Sequence, residues 1–482
     1  MQSCTVATRS NFKQPTLAIS VCHFATRHTM PTTIRTFLTS LVLVACATVC
    51  AADATTIEYM STFASARDEY ARDILNAARD THDYVVRQRR ALHRAPELMW
   101  TEFGTSEAIT RELRDMGIEY ESVSSTGIVA SIGNRHSGRA VGLRADMDAL
   151  PLTEESGVAF ASEKKGLMHA CGHDGHVAML LGAGKVLKSL YDAAPEAFPG
   201  IVRLIFQPAE EGGAGAKEML APRDGSKGLL DLQPPVESVF GLHNWPYPEM
   251  PSGTVGTRAG TIMAGSGCFD VNITGRGGHA AVPHNNIDVI VAGSAIVTAL
   301  QTLVSRLTDP LDSVVVSVTV FNSGTASNIM PDSANLQGTL RALNPLTFAK
   351  FQDKITKMAS DIAAAHGCTA STSFMPEWNG VQRIPYPPTV NDSRAAQLAM
   401  SVAGQLFGTE NTRDVVPVMP AEDFSFFGEH VPSVLMWLGA YNETAGATHP
   451  LHSTKYVLDE NVLTSGVALH VMYAMEFLRE GL

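Results

Sequence analysis

Hydrophobic and polar positions follow two periods along this chain. Up to about residue 265, apolar residues at helical three- and four-residue spacings alternate with short apolar runs typical of buried strands. The pattern predicts helices at 66–92, 106–116 and 177–190, and strands at 127–132, 139–145 and 200–207. Alternating strands and helices indicate an α/β layered domain.

The pattern changes near residue 267. It predicts strands at 269–274, 313–321, 334–342 and 369–374, and helices at 287–307 and 346–365. This order is typical of a ferredoxin-like unit. The alternation of helices and short apolar strands then resumes. It predicts a helix at 393–406, strands at 415–419 and 433–438, and a last helix from 460. We therefore predict one α/β domain in two parts, 53–265 and 379–482, with an inserted α+β domain at 266–378.

The first fifty residues differ from the rest. Phe37 to Val49 is an apolar run with the length of a signal-peptide core, and small residues follow up to Ala52. We predict a leader at 1–52, with Met30 as a candidate true start, and an exported protein that is periplasmic or secreted. The segment ending at Cys46 also resembles a lipobox, so a lipoprotein anchored there is the alternative.

Composition narrows the class of protein. A chain of 482 residues is too long for one ordinary core, so at least two domains are expected. With 45% of residues hydrophobic and 17% charged, the composition is that of a globular protein. The net charge of −12 argues against nucleic acid as a partner. We expect no transmembrane span, because no apolar run outside the first 50 residues reaches the required length. Cysteine, with 7 residues, is too sparse for a disulfide scaffold, whereas 16 histidines suggest a metal.

Five polar clusters follow predicted strands or lie in glycine-rich loops, where α/β sheets build their sites. They are Asp146 with Asp148, the segment His169 to His176 around Cys171 and His173, Glu210 with Glu211, His243, and His449 with His452. Thiolate and imidazole ligands suit zinc. Adjacent glutamates diverge, so one can ligate a metal while the other takes a proton from water.

Taken singly, several of these residues have plainer interpretations. The two aspartates could be solvated loop acids, and His243 and His452 could be core histidines. The insert adds His279 in a glycine-rich turn, with Asn328 and Arg341 flanking its third strand. Such groups suit a carboxylate or an oxyanion, but they could also be ordinary turn and surface residues.

Together the clusters are more specific, and their order resembles the di-metal aminoacylase and carboxypeptidase family in its amidohydrolase branch. That branch includes hippurate hydrolases and hydrolases of indoleacetyl–amino acid conjugates. The likeness runs from about residue 75 to the end. The matching segments are 92–98, 144–151, 169–176, 207–213, 241–243, 277–284, Asn328 with 331–332, 422–424 and 451–453.

The resemblance implies an α/β metallopeptidase-like catalytic domain whose insert is a lid and dimerisation domain. It also implies two divalent metal ions per subunit, bridged by Cys171. Zinc fits these ligands, and manganese, cobalt or nickel are compatible. One ion would be completed by Glu211 and His452, the other by His173 and His243. Glu210 would be the general base and then the acid toward the leaving amine, and Asp148 a supporting carboxylate.

The resemblance further implies roles for the insert. His279 would stabilise the oxyanion, in its own or a partner subunit's site, while Asn328 and Arg341 would hold the substrate carboxylate. A homodimer or higher homo-oligomer is expected. The chain departs from the branch at Thr454, where proline is frequent, and His449 is an alternative ligand to His452.

The implied function is hydrolysis of N-acyl or N-aroyl amino acids, including phenylalanine-conjugated toxins. A carboxypeptidase or dipeptidase of the same fold is the close alternative. A non-catalytic binding protein would be expected to lack Glu210, which is present. A redox or thiol enzyme would require a second cysteine near Cys171, and Cys268 and Cys368 are remote from it in the sequence. If the first and last strands of the insert pair antiparallel, Cys268 and Cys368 lie at opposite ends, so we predict no disulfide between them.

Overall fold

The computed structural model describes residues 69–133, 138–222, 224–375 and 384–482. Residues Tyr70–Leu482 form one compact unit. The predicted leader, with Met30 and Cys46, lies outside the described residues.

Sixteen strands are described, in two larger sheets and two short ribbons. They are β1 (Glu119–Ser122), β2 (Ile128–Gly133), β3 (Ala140–Asp146), β4 (Ile201–Gln207), β5 (Val236–Trp245), β6 (Val255–Thr257), β7 (Gly260–Met263), β8 (Gly265–Thr274), β9 (Gly278–His279), β10 (Val314–Ser323), β11 (Ile329–Met330), β12 (Ser333–Ala342), β13 (Thr369–Phe374), β14 (Thr389–Asn391), β15 (Thr412–Asp414) and β16 (Ser433–Gly439).

Residues 69–80 are helical, and nine complete α-helices follow within the described part of the chain. They are α1 (His82–Arg94), α2 (Phe103–Asp115), α3 (His173–Ala193), α4 (Gly215–Leu220), α5 (Val289–Thr302), α6 (Pro345–Ala365), α7 (Ser393–Phe407), α8 (Ser425–Gly428) and α9 (Leu463–Glu480).

The catalytic domain is built on an eight-stranded sheet in the order β1-β2-β4-β3-β5-β16-β6-β15. Its centre is parallel, and every residue of β3 and β4 is buried, which explains their nearly continuous apolar sequences. Separate apolar cores cover the two faces, one containing α3 and α9 and the other α8. Asp146 and Gln207 are paired at the ends of β3 and β4, so the residues after them meet at one sheet edge.

The insert has the predicted ferredoxin-like fold. Its sheet is antiparallel in the order β10-β12-β8-β13, and its core unites these strands with α5 and α6. The register pairs Thr369 with Thr274 and Phe374 with Phe269. Cys268 and Cys368 therefore lie at opposite ends of the β8–β13 pair, and both are free thiols as predicted.

One expectation about apolar length was wrong. The helical segment Val289–Leu307, which comprises α5 and a following π-helical turn, is long and apolar enough to cross a membrane, with a mean hydropathy of 1.5 over 18 residues. In the insert its residues Ala292, Ile296 and Leu300 are buried in the core. The opposite face also carries apolar side chains, and these are exposed. The mean hydropathy is therefore high because both faces of the helix are apolar, one buried and one exposed.

Three predicted boundaries also change. The helix predicted at 66–92 is interrupted at Thr81, whose hydroxyl donates to the Ala78 carbonyl at 2.7 Å. No strand forms at 415–419; β15 ends at Asp414, and Val418 makes only an isolated bridge to Met263. The helix predicted from residue 177 begins at His173, because a left-handed glycine precedes it.

Candidate metal centre and its cleft

The turn before α3 brings a thiol and an imidazole to the same edge of the sheet. Gly172 has φ 86°, and a Cβ there would lie 2.4 Å from Asn244 Nδ2 and 2.6 Å from Tyr456 Oη. Only glycine fits this conformation and this space. The sequence pattern placed Cys171 and His173 in a loop, whereas His173 is the first residue of α3.

Five of the predicted ligands form two groups that share one member. The donor atoms of Cys171, His173 and His243 all lie within 4.8 Å of one another. Those of Cys171, Glu211 and His452 satisfy the same limit. A thiolate common to two such groups can contact two neighbouring ions, and sulfur, nitrogen and carboxylate oxygen are all zinc ligands.

Asp148 contacts one member of each group, His173 in the first and Glu211 in the second. Its carbonyl oxygen and its Oδ1 lie 2.9 and 3.2 Å from His173 Nδ1, and its Oδ2 accepts a hydrogen bond from the Glu211 amide at 2.9 Å. Nε2 of His173 is buried and makes no hydrogen bond in the described structure, although Asp146 Oδ2 lies 3.5 Å away. A histidine held through one ring nitrogen, with the other buried and without a hydrogen bond, is oriented as metal ligands usually are.

A buried arginine holds the floor of the site together. Arg144 is 1% exposed. Its guanidinium donates to Asp146 at 2.6 Å, Glu422 at 2.8 Å, Asp423 at 3.1 Å and Gln207 at 2.8 Å. Since unpaired buried carboxylates are costly, this fork fixes groups that come from distant parts of the chain.

Asp146 also lies close enough to His173 and His176 to form a candidate metal group. Both of its oxygens are already engaged, however, since Oδ2 accepts from Arg144 at 2.6 Å and Oδ1 lies 2.5 Å from His176 Nδ1. On its other side, His176 Nε2 accepts from the Asn244 amide at 3.1 Å. These contacts indicate that Asp146 and His176 order the protein beneath the site.

The adjacent glutamates experience opposite electrostatic environments. Burial and the negative charge of Glu422 raise the pKa of Glu210 well above its ordinary value. Burial also opposes ionisation of Glu211, but the hydrogen bond and charge of His452, together with the charge of His173, outweigh it and lower the pKa of Glu211. Neighbouring carboxyls whose pKa values are pushed apart suit different tasks, one carrying a proton and the other remaining an anion.

The chemistry of the donor set favours a cation. Burial, reinforced by Glu211, raises the pKa of the Cys171 thiol well above its ordinary value. Burial also lowers the pKa of His243, which keeps this imidazole neutral, as a ligand must be. A buried thiolate beside these carboxylates would need compensating positive charge, so the residues present fit a divalent metal.

The loop that carries His452 is anchored on both sides. His452 itself has φ 62°, and its amide donates to the Ala170 carbonyl at 2.8 Å. Two residues later, Thr454 Oγ1 donates to Glu155 at 2.8 Å, and the Glu155 amide donates to the Thr454 carbonyl at 2.7 Å. Threonine at this position therefore provides a contact that proline could not. His449 is exposed and does not line the cleft, whereas His452 does.

These groups open onto a cavity of about 480 Å³ between the catalytic domain and the base of the insert. The metal-site end is lined by Cys171, Glu210, Glu211, His243 and His452; the rest of the wall is formed by Gly212, Trp245, Tyr247, Met263, Ser266, Arg341, Met375, Tyr386, Pro420, Ala421, Glu422 and Leu451. Arg341 contributes a permanent positive charge to this lining. The cavity thus combines carboxylates and soft ligands with an arginine and an apolar wall.

Two predicted residues do not reach this cavity within one chain. His279 and Asn328 are exposed on the insert, and neither lines the cavity. They lie beside each other, because β9 pairs His279 with Ile329 and the Ala280 amide donates to the Asn328 carbonyl at 3.1 Å. The expected partnership of Asn328 with Arg341 around one carboxylate is therefore not present in a single chain.

Sequence reasoning missed residues that hold the site without belonging to a motif of ligands. Tyr386 lies in the cavity wall and hydrogen-bonds to Glu210, yet no pattern around it indicates a function. Arg144 had a detectable signal, because an arginine inside an apolar strand must have buried partners. Its partners Glu422 and Asp423 belonged to a matching segment but had no assigned role.

Taken together, paired carboxylates beside a thiol–imidazole cluster define the apparatus of a hydrolase of amide or peptide bonds. The chain belongs to peptidase family M20/M25/M40, whose family model matches residues 142–476. This confirms the family predicted from the sequence motifs.

Individual relatives agree with this assignment. The chain is 44% identical over 402 residues to IAA-amino acid hydrolase ILR1-like 2 of Arabidopsis thaliana, which covers 83% of this chain and 87% of the relative. It is 38% identical to thermostable carboxypeptidase 2 of Saccharolobus solfataricus, over 83% of this chain and 97% of the relative. Among solved structures, the Bacillus subtilis YXEP protein, a dinuclear metal binding peptidase from the M20 family, has a TM-score of 0.68 and 31% identity, over 83% of this chain and 99% of that one.

Proposed function

We propose that this protein is an exported metal-dependent amidohydrolase that cleaves N-acyl and N-aroyl amino acids to a carboxylic acid and a free amino acid. One observation carries the proposal: Glu210, the proposed ligands Cys171, Glu211, His243 and His452, and Arg341 line the same cavity. An amide flanked by a carboxylate on one side and an apolar acyl group on the other matches this arrangement. The volume of about 480 Å³ is in the usual range for small-molecule pockets.

Two divalent ions would be held by the two groups of side chains. Cys171 would be common to both, His173 and His243 would complete one group, and Glu211 and His452 the other. The buried Nε2 of His173, which makes no hydrogen bond in the described structure, supports this assignment. We propose zinc, since it suits sulfur and nitrogen ligands. When bound, such ions acidify water and polarise a carbonyl.

The protein's own groups perform the proton transfer and hold the substrate. Glu210 accepts the proton of the attacking water and delivers it to the departing nitrogen. Its raised pKa, caused by burial and by Glu422, suits a group that must both accept and return a proton. Arg341 pairs with the substrate carboxylate, and its position in the cavity sets which amide faces Glu210.

We further propose a homodimer in which His279 acts in the site of a second copy, as an oxyanion donor. In one chain His279 and Asn328 are exposed together, away from the cavity. The insert also exposes apolar side chains along α5 and the turn after it, Ile290, Val291, Val304 and Leu307. A patch of this kind fits a contact with another copy.

Export is proposed on the leader pattern alone. Amino-terminal sequencing of the protein from the periplasm or medium should find a start near residue 53. A cytoplasmic protein that retains the leader would contradict export, and a lipid on Cys46 would establish the lipoprotein alternative.

The decisive test is Glu210→Gln. Chelated protein is reloaded with zinc, and release of free amino acid is measured from N-acetyl, N-benzoyl and dipeptide substrates. Because the variant keeps the ligands and loses the base, turnover should fall on the order of 100- to 10,000-fold while bound zinc is unchanged. Glu237→Gln, at the exposed start of β5, is the matched control and should be fully active. A Glu210→Gln variant with wild-type turnover would refute the mechanism.

A carboxypeptidase or dipeptidase is the second candidate, and the 38% identity to a thermostable carboxypeptidase favours it. The same assay distinguishes the two. A higher kcat/KM for peptides than for N-acetyl and N-benzoyl amino acids would replace the first proposal by the second.

A further inference from the structure

Tyr386 lies where the chain returns from the insert to the catalytic domain. Its backbone forms an antiparallel bridge with Ser266 near the start of β8, with hydrogen bonds of 2.8 and 3.0 Å in the two directions. The residue is 5% exposed, and its ring packs edge-on against Phe426. The two connections between the domains are therefore joined to each other at this residue.

The Tyr386 side chain then reaches the loop that carries the proposed base. Its hydroxyl donates to the Glu210 carbonyl at 2.8 Å and accepts from the Ala214 amide at 2.9 Å. This turn contains positive φ angles at Ala209 (54°), Gly212 (115°) and Ala214 (58°). Non-glycine residues in this region are strained, so the turn needs contacts of this kind to keep its shape.

On the other side, Ser266 connects Tyr386 to the proposed carboxylate anchor. The β8–β12 register pairs Ser266 with Arg341. Ser266, Arg341, Tyr386 and Glu210 all line the cavity. A continuous set of direct contacts thus runs from the arginine in the insert, through the paired connections, to the glutamate in the catalytic domain.

We propose that Tyr386 is a positioning residue whose hydroxyl couples the placement of Glu210 to the engagement of a substrate carboxylate by Arg341. This inference rests on the proposed function, because it assumes that Arg341 holds that carboxylate. The hydroxyl makes its hydrogen bonds with the backbone of Glu210 and Ala214. Its effect is to keep the 210–214 turn in register with the insert.

Tyr386→Phe tests the proposal, since it keeps the ring and removes only the hydroxyl. The zinc-loaded enzyme is assayed with N-benzoylglycine, which has a carboxylate, and N-benzoylglycinamide, which lacks it. For the acid, kcat should fall by about 10- to 100-fold, the usual cost of a slightly misplaced catalytic group, with little change in KM. The ratio of kcat for the acid to kcat for the amide should exceed one in the wild type and approach one in the variant.

Tyr473→Phe is the matched control. Tyr473 is also fully buried, and its hydroxyl lies 3.2 Å from Ser238, away from the cavity. Each substitution removes one buried hydroxyl and should lower the stability of the fold, but only Tyr386→Phe should change the kcat ratio. Bound zinc should be unchanged in both variants.

Three outcomes would overturn the inference. One is a Tyr386→Phe enzyme with wild-type kcat, and another is an equal fall in kcat for both substrates, which would indicate only structural damage. The third is a wild-type enzyme that is inactive on both substrates. That result would refute the proposed function itself, and the coupling with it, and is distinguishable because it does not depend on the variant.

Discussion

The floor of the cleft and the insert contribute to the same proposed reaction in different ways. On the floor, Cys171, His173 and His243 are 7%, 0% and 4% exposed, and backbone carbonyls of Asp148 and Asn244 in the same chain hold the two histidines. On the insert, His279 is exposed and lies away from the cavity. Ligand geometry needs a rigid, buried frame. Groups that contact the substrate only after subunit association or closure of the insert do not need to be buried in the single chain.

The largest expected effect comes from removing the residue common to both floor groups. Cys171→Ala should reduce turnover on the order of 1,000-fold or more, because both metal groups lose a ligand. Bound metal, measured by elemental analysis after dialysis, should fall together with activity. Cys368→Ala, a buried free thiol of the insert, is the control and should keep both. Full metal retention in Cys171→Ala would argue against a shared ligand.

The second experiment asks whether the insert serves a second copy. Glu210→Gln and His279→Ala chains, each inactive alone, are co-expressed with different tags and purified as the heterodimer. If His279 acts across the dimer, one of the two sites has both groups intact and about half of wild-type activity returns. If His279 acts in its own chain, both sites remain defective and no activity returns.

The third experiment compares Arg144, which lies on the floor beneath the metal site, with Arg341, which lines the cavity. Arg144→Met leaves Asp146, Glu422 and Asp423 without their common cation and should cost about 3–5 kcal/mol of unfolding free energy in urea titrations. Arg341→Met should reduce kcat/KM for N-acyl amino acids by about 10- to 100-fold, with a smaller loss of stability. A larger loss of unfolding free energy in Arg341→Met than in Arg144→Met would contradict both assignments.

The smallest effect concerns pH dependence beside the floor. Burial opposes ionisation of Glu154, but hydrogen bonds from His93, Ser156 and Ser162 outweigh it and lower its pKa from 4.5 to about 2. A lowered carboxyl pKa stabilises the folded state above the unfolded value, and this contribution is lost as pH falls through the folded value. The stability difference between wild type and Glu154→Gln should therefore narrow between pH 4.5 and 2. A difference that stays constant over this range in urea titrations would contradict the assignment.

Much of the fold was predictable, because alternation of apolar and polar residues reports local periodicity. The four strands and two helices of the ferredoxin-like unit and the buried strands β3 and β4 followed from such patterns, whereas the two-residue strands β9 and β11 did not. The break at Thr81 did not, since both the amide and the hydroxyl of Thr81 donate to the Ala78 carbonyl there, and the spacing of apolar residues does not report such local contacts. The missing strand at 415–419 shows the opposite error: Val415 and Val418 do bond to neighbouring backbone, but Pro417 between them has no amide hydrogen to donate, so no continuous ladder forms.

For the site, the sequence by itself determined which chemical groups are available and in what order. The pairs Cys171 with His173 and Glu210 with Glu211 could be recognised in the sequence, because the two members of each pair are close in the chain. Only the tertiary structure decided which groups meet. It placed Cys171 in both donor groups, committed Asp146 to Arg144 and His176, brought Arg341 to the cavity and left His279 outside it. The physical reason is that strand register and a buried arginine join segments up to 279 residues apart, and no local pattern encodes those contacts.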